Sequence, residues 1–187
     1  MIYYWTGVGS RKAPIIMLDL GFDIAYKMAW FRLCVRSGEA EGMDKAFEKG
    51  ARKAISEGAP ASIQTFVAAD ATPESMALAG QFHSAWNAIR RDGTPVVSNF
   101  AKRLHGRNSF QVLGPDLRTP SVGLICWTPD KCCSHAERTI RTGGTGTAIS
   151  IASHYGIPIS NLAKPSEYHK WRTWASEPFE RRPDNSR

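Results

Sequence analysis

Three short runs of β-branched and aromatic residues in this chain each lead to a glycine-bearing loop, and each loop is followed by helical apolar spacing. Residues 2–5 stop at Gly7-Val8-Gly9-Ser10, after which Pro14 is placed to enter a first helical turn. Residues 31–35 lead into Ser37-Gly38-Glu39-Ala40-Glu41-Gly42, and over 43–57 the residues Met43, Ala46, Phe47, Ala51, Ala54 and Ile55 return at helical intervals. Residues 122–127 precede Thr142-Gly143-Gly144-Thr145-Gly146-Thr147, which opens a helix over 144–155. Further strands are expected at 62–67 and 157–159, and helices at 73–90 and 100–113, the latter interrupted by Gly106. Strands alternating with helices join through crossovers, so they pair in parallel and need helices on both faces. The expected fold is a single Rossmann-like α/β domain, a doubly wound, mostly parallel sheet whose ligands lie beyond the carboxyl ends of the strands. The loops at Gly7, Gly38 and Gly143 all fall on that edge.

At 187 residues and 42% hydrophobic content the chain can bury one full core. The domain is expected over 1–177, with 178–187 as a flexible basic tail. No apolar stretch reaches the length of a bilayer span, and the first residues lack the charged region and cleavage site of a secretory signal. A cytoplasmic protein with no membrane partner is expected, in the host cytoplasm if a phage encodes it. Cys34, Cys126, Cys132 and Cys133 lack the dense spacing of a disulfide scaffold, so reduced thiols are expected. The formal charge is +7. Its basic residues are dispersed, at Lys102, Arg103, Arg107 and Arg118 and among acidic neighbours over 164–187. That pattern favours a basic pocket for a charged small molecule over a nucleic-acid stripe.

The run from Thr142 to Thr147 is the strongest chemical signal. Glycines and threonines opening a helix gather bare N–H groups, hydroxyls and the positive helix end around one point, which suits a phosphate. Gly7, Gly9 and Ser10 are expected to share in that cradle, and Trp127, after a strand, to stack on a base. Cys126, Cys132, Cys133 and His135 lack the paired spacing of a zinc motif, so neither metal nor cofactor is expected. Trp171 and Trp174, three apart on a C-terminal helix, are expected to bury one helix face against a second subunit, giving a dimer or larger homo-oligomer.

Four motifs in order, Thr6-Gly7-Val8-Gly9-Ser10-Arg11, Arg36-Ser37-Gly38-Glu39-Ala40-Glu41-Gly42-Met43-Asp44, Gly106-Arg107-Asn108 and Gly143-Gly144-Thr145-Gly146-Thr147, resemble the SLOG superfamily of nucleotide-binding proteins. That group holds DprA, the Lonely Guy (LOG) phosphoribohydrolases and domains that sense nucleotide signals in antiviral defence. The wording is most similar to stand-alone, often phage-encoded DprA-like members. The resemblance implies binding of a nucleotide or nucleotide-derived signal, ADP-ribose-like or cyclic, with sequestration of a defence signal as one use. It places Arg11 and Arg107 as charge partners, Asn108 beside them, and Ser37, Gly38, Glu39 and Asp44 towards a ribose. LOG enzymes carry a glutamate shortly after the glycine loop, and here Ile149 and Ser150 follow Ala148. Losing such an acid typically costs about 10²–10⁴-fold in rate, so no catalytic residue is assigned and binding is expected rather than turnover. Two alternatives stand beside this: an N-glycosidase or phosphoribohydrolase using a relocated carboxylate (Glu39, Glu41, Asp44 or Glu137), and a DprA-like single-strand DNA binder. The second is disfavoured because no aromatic run tracks an extended strand.

Overall fold

A computed structural model describes residues 2–181. The order is β1 (Tyr3–Gly9), α1 (Ile15–Trp30), β2 (Leu33–Ser37), α2 (Met43–Ser56), β3 (Ile63–Thr65), α3 (Pro73–Gly80), α4 (Asn99–Leu113), β4 (Leu124–Trp127), α5 (Thr145–His154), β5 (Ile159–Asn161) and α6 (Pro165–Ser176). The five strands form one sheet in the order β3-β2-β1-β4-β5, with every pair parallel. This is the doubly wound Rossmann-like α/β arrangement, and strand order reverses between β1 and β4, where such sheets open a crevice at their carboxyl edge. No helix among the described residues is long and apolar enough to cross a membrane.

Alternation along the strands divides the core into two layers. Trp5, Val35 and Ile125 face α1 and α2 with Leu20, Ile24, Met43 and Phe47. Val8, Leu124 and Cys126 face α4 and α5 with Val112, Leu113, Ile149 and Ile151. β1 is longer than its sequence suggests: Gly7 and Gly9 belong to the strand, paired with Ile125 and Trp127, and are no loop. A Cβ on Gly7 would stand 2.9 Å from the Phe47 ring, and one on Gly9 would stand 2.7 Å from Met43 Cβ. Met43 and Phe47, one turn apart on α2, lie directly on the strand because those two side chains are missing.

Several boundaries differ from the sequence expectation for identifiable reasons. β2 begins at Leu33 because Phe31 caps α1 and Arg32 adopts φ 62°, and the turn at Gly156 (φ 66°) delays β5 to Ile159. The helix expected over 73–90 stops at Gly80, where the chain turns back and lays Trp86 on the bare glycine, whose Cβ would stand 2.8 Å from Trp86 Nε1. Gly106 leaves α4 unbroken and admits Met76 of α3 against it. The C-terminal helix packs on its own domain. Tyr168, Trp171 and Trp174 join the α1–α2 layer, the Trp174 ring lies 6.2 Å from Phe31, and the buried Lys27 ammonium donates to the carbonyls of Trp174 and Glu177. This packing covers Tyr168, Trp171 and Trp174 only in part, and no residue of α6 is fully buried. Of the tail expected from residue 178, Phe179 packs on Tyr26 and Phe31, and Arg181 reaches Glu57 at 3.3 Å. Residues 182–187 lie outside the described residues.

Candidate functional site

At the carboxyl edge between β1 and β4 lies a cleft of about 320 Å3. Its floor is the end of β1 at Val8, Gly9 and Ser10. One wall is the face of α4 formed by Ala101, Leu104, His105, Asn108 and Gln111. The facing rim is Arg141 to Thr145 with Ala148, and Arg11, Lys12, Ala40, Asp44 and Arg107 complete it. The α4 positions recur at three- and four-residue steps, as one stripe of a helix must.

The glycine-threonine run divides into two parts. Thr142 is tied down from behind, its hydroxyl donating to Asp130, which also accepts from Thr139 Oγ1 at 2.7 Å. Gly143 takes φ 62°, a left-handed conformation suited to glycine. Gly144 has right-handed φ −63° and ψ −26°, and a Cβ there would meet no atom within 4 Å. Nothing in the protein demands glycine at 144, so its effect is to leave the cleft open above the start of α5. The helix supplies no acceptors for its first N–H groups, so those of Gly144 and Thr145 are unused by it. Asn108 fixes this corner by donating from Nδ2 to the Gly144 carbonyl at 3.0 Å. The second part turns inward. Gly146 is glycine because Arg138 Nε lies 2.6 Å from where its Cβ would be, and Thr147 is buried with Oγ1 2.7 Å from His105 Nδ1.

Ser150 is, with Ile149, one of the two positions at which the resemblance to LOG enzymes leads an acid to be expected. It is fully buried, donates to the Gly146 carbonyl at 2.8 Å, and lies 2.9 Å from His135 Nδ1 and 3.1 Å from Arg138 Nη1. None of these four residues lines the cleft. Ile149 is core, so α5 presents only Ala148 to the cleft from its second turn.

Asp44, in the first turn of α2, is the one carboxylate on the lining among the described residues. Its two oxygens accept from Gly9 N at 2.9 Å and Gly38 N at 3.2 Å, binding the end of β1 to the loop after β2. Burial pushes its pKa up to about 6, against the opposing pull of Arg107 and the two backbone donors. Arg107 donates to the Gly38 carbonyl, and its Nε is buried without a partner. His105, held between His83 and Trp86, is pushed down to about 4 by burial and the neighbouring positive groups, so its imidazole is neutral at pH 7.

Of the residues expected to meet a ligand, Gly9, Ser10, Arg11, Asp44, Arg107, Asn108, Thr142, Gly143, Gly144 and Thr145 come together on this lining. The others do not. Gly7 lies beneath Phe47, and Ser37 is buried with Oγ directed to the Asp44 carbonyl at 3.4 Å. Gly38 is buried behind Arg107 and Gln111. Glu39 is exposed with φ 57°, its N–H held by Glu48 at 3.0 Å; it is not on the lining, although its charge acts on Arg107. Trp127 packs against the α1–α2 layer instead of stacking over the site, and Gly146 and Thr147 face inward. Sequence reading missed Lys12, His105, Gln111 and Arg141. Extending the α4 face from Asn108 by one turn each way would have found His105 and Gln111. Among the described residues no group of three or more His, Cys, Asp or Glu is placed to hold a metal. Compared with protein-family models, curated proteins and solved structures, the chain has no match.

Proposed function

We propose that the protein binds a phosphate-bearing small molecule of nucleotide type in this cleft. The observation that carries the proposal is the Gly143-Gly144 opening of α5. It is an uncovered helix start on a lining that also carries Arg11, Lys12, Arg107 and Arg141 against the single carboxylate of Asp44. Unused N–H groups, a positive helix end and four cations are the donor set for a phosphate, and the apolar wall of Val8, Ala40, Ala101 and Leu104 suits an organic body attached to it. The resemblance of the four motifs to SLOG proteins agrees with a nucleotide or nucleotide-derived signal, and sequestration of such a signal is the proposed use. Phosphate cradling falls to Gly143, Gly144 and Thr145, and charge compensation to Arg11, Lys12, Arg107 and Arg141. The test is mass spectrometry of small molecules released by denaturing the purified protein, followed by titration calorimetry with the compound found. An intact nucleotide supports the proposal. A protein that carries none, and binds neither nucleotides nor inorganic phosphate, refutes it.

A second reading, N-glycoside hydrolysis, has one observation in its favour. Asp44 is a relocated carboxyl on the lining, raised to about 6 and facing Arg107, which are traits of a catalytic acid. Against it, both carboxylate oxygens are already engaged by backbone N–H groups. Chromatographic detection of free base, dependent on Asp44, decides between the two.

A further inference from the structure

Gln111 sits in the last turn of α4, on the buried inner lining of the cleft. It is fully buried, and neither Nε2 nor Oε1 has a partner. Its main chain is well anchored, the carbonyl accepting from Thr6 Oγ1 at 2.7 Å, so the side chain is held at this position while its amide is left unsatisfied. A buried carboxamide lacking both partners is unfavourable, and an apolar side chain of the same length would suit the fold better. Beside it, Arg107 Nε is likewise buried and unpartnered, and the Asp44 oxygens retain lone pairs beyond the two N–H groups they accept. This corner therefore offers donors and acceptors together.

We infer that the inner lining of the cleft, through Gln111 with Arg107 and Asp44, reads the vicinal hydroxyls of a sugar whose phosphate rests on the start of α5. The inference rests on the phosphate reading above and names the other half of the ligand. A vicinal diol presents two donors and several acceptor lone pairs in a small volume, and it matches a carboxamide, a guanidinium N–H and a carboxylate at once. A nucleobase edge fits less well here. The Gln111 polar atoms are closed to solvent, so a ligand group meets them only when the amide turns towards the cleft, which favours a group as small as a hydroxyl over a base edge, and among the described residues His105 is the only aromatic ring on the lining. Gly38 makes room for this corner, because a Cβ there would collide with Gln111 Nε2 and the Arg107 guanidinium.

The test is titration calorimetry on the full chain with methyl β-ribofuranoside 5-phosphate, its 2,3-dideoxy counterpart and inorganic phosphate, in wild type and Gln111→Met. Wild type is expected to prefer the diol by about tenfold or more, the cost of leaving one such site unpaired. Gln111→Met should erase the preference, leave affinity for the dideoxy compound and for inorganic phosphate unchanged, and raise the Tm of the free protein. Equal binding of the two sugar phosphates by wild type, a preference that survives in Gln111→Met, or a lowered Tm, which would make Gln111 a support of the fold, overturns the inference while leaving the phosphate reading intact. If none of the three compounds binds, the phosphate reading itself has failed and this inference falls with it.

Discussion

Replacing Gly144 by valine separates ligand from fold more sharply than any other change in the loop. The residue has φ −63° and ψ −26°, which valine adopts, and its Cβ would meet no protein atom within 4 Å. Losing glycine restricts the unfolded chain and stabilises by about 0.4–1 kcal/mol, while a β-branched residue in a helical turn costs up to about 0.7 kcal/mol, so the two nearly cancel. For a domain of this length, a residual of 1 kcal/mol or less moves Tm by about 2–4 °C or less. Binding should respond differently. The three-carbon side chain would stand over the free N–H groups of Gly144 and Thr145, and each charge-assisted bond lost to a phosphate is worth about 1.5–3 kcal/mol. Titration calorimetry should show affinity for the released ligand falling by about 10- to 100-fold or more, with a nearly unchanged thermal transition. Gly146→Ala supplies the contrast. Its Cβ would press on Arg138 Nε at 2.6 Å, and Arg138 holds the Phe82 carbonyl at 2.6 Å, so this change should cost about 1–3 kcal/mol of stability. Unaltered affinity in a folded Gly144→Val protein would place the ligand elsewhere, and an unfolded Gly144→Val protein would show that the space is not open.

Three further outcomes follow from the same geometry. Arg107→Ala should weaken ligand binding by about 1–3 kcal/mol in calorimetry, with no base release by wild type on chromatography; rapid release dependent on Arg107 would establish the enzyme reading instead. Asp44 binds its proton more tightly folded (about 6) than unfolded (3.8), so its contribution to stability is full below about pH 4 and lost as pH rises towards 6. Urea melts across that interval should show about 2–3 kcal/mol of decline that is absent in Asp44→Asn; a flat profile would mean that the carboxyl is not desolvated. Truncating Trp171 and Trp174 together to alanine should lower stability by about 2–4 kcal/mol with a Tm independent of protein concentration, because both pack on α1 within the chain; a concentration-dependent loss on light scattering would return α6 to a subunit interface.

The architecture was legible because it is set by periodicity. α2 kept its apolar stripe and appears within one residue of the expected end, and five strand-forming runs gave five parallel strands. Boundaries failed where a tertiary contact overrode local preference. Gly7 and Gly9 look like a turn to any local rule, yet they are strand residues chosen by the approach of Met43 and Phe47 from 34 or more positions away. Residues 81–90 carry helical spacing, but the chain turns at Gly80 so that Trp86 can lie on it.

The same cause separates the glycines of the site from the glycines of the core, and sequence alone treats them alike. Seven of them fall in the three glycine-bearing loops: Gly7, Gly9, Gly38, Gly42, Gly143, Gly144 and Gly146. A Cβ would strike a neighbour at Gly7, Gly9, Gly38, Gly42 and Gly146, so protein packing accounts for those five. At Gly143 it would meet nothing, and the positive φ accounts for that one. Only at Gly144 is there neither a neighbour to avoid nor a backbone angle to satisfy, and that residue lies where the start of α5 faces the cleft. Gln111 carries the complementary signal, an uncompensated polar group where the fold would be served better by an apolar one. A small residue on the exposed rim and a polar residue on the buried lining of one 320 Å3 cleft, neither required by the fold itself, are both accounted for by a ligand that bears a phosphate and sugar hydroxyls.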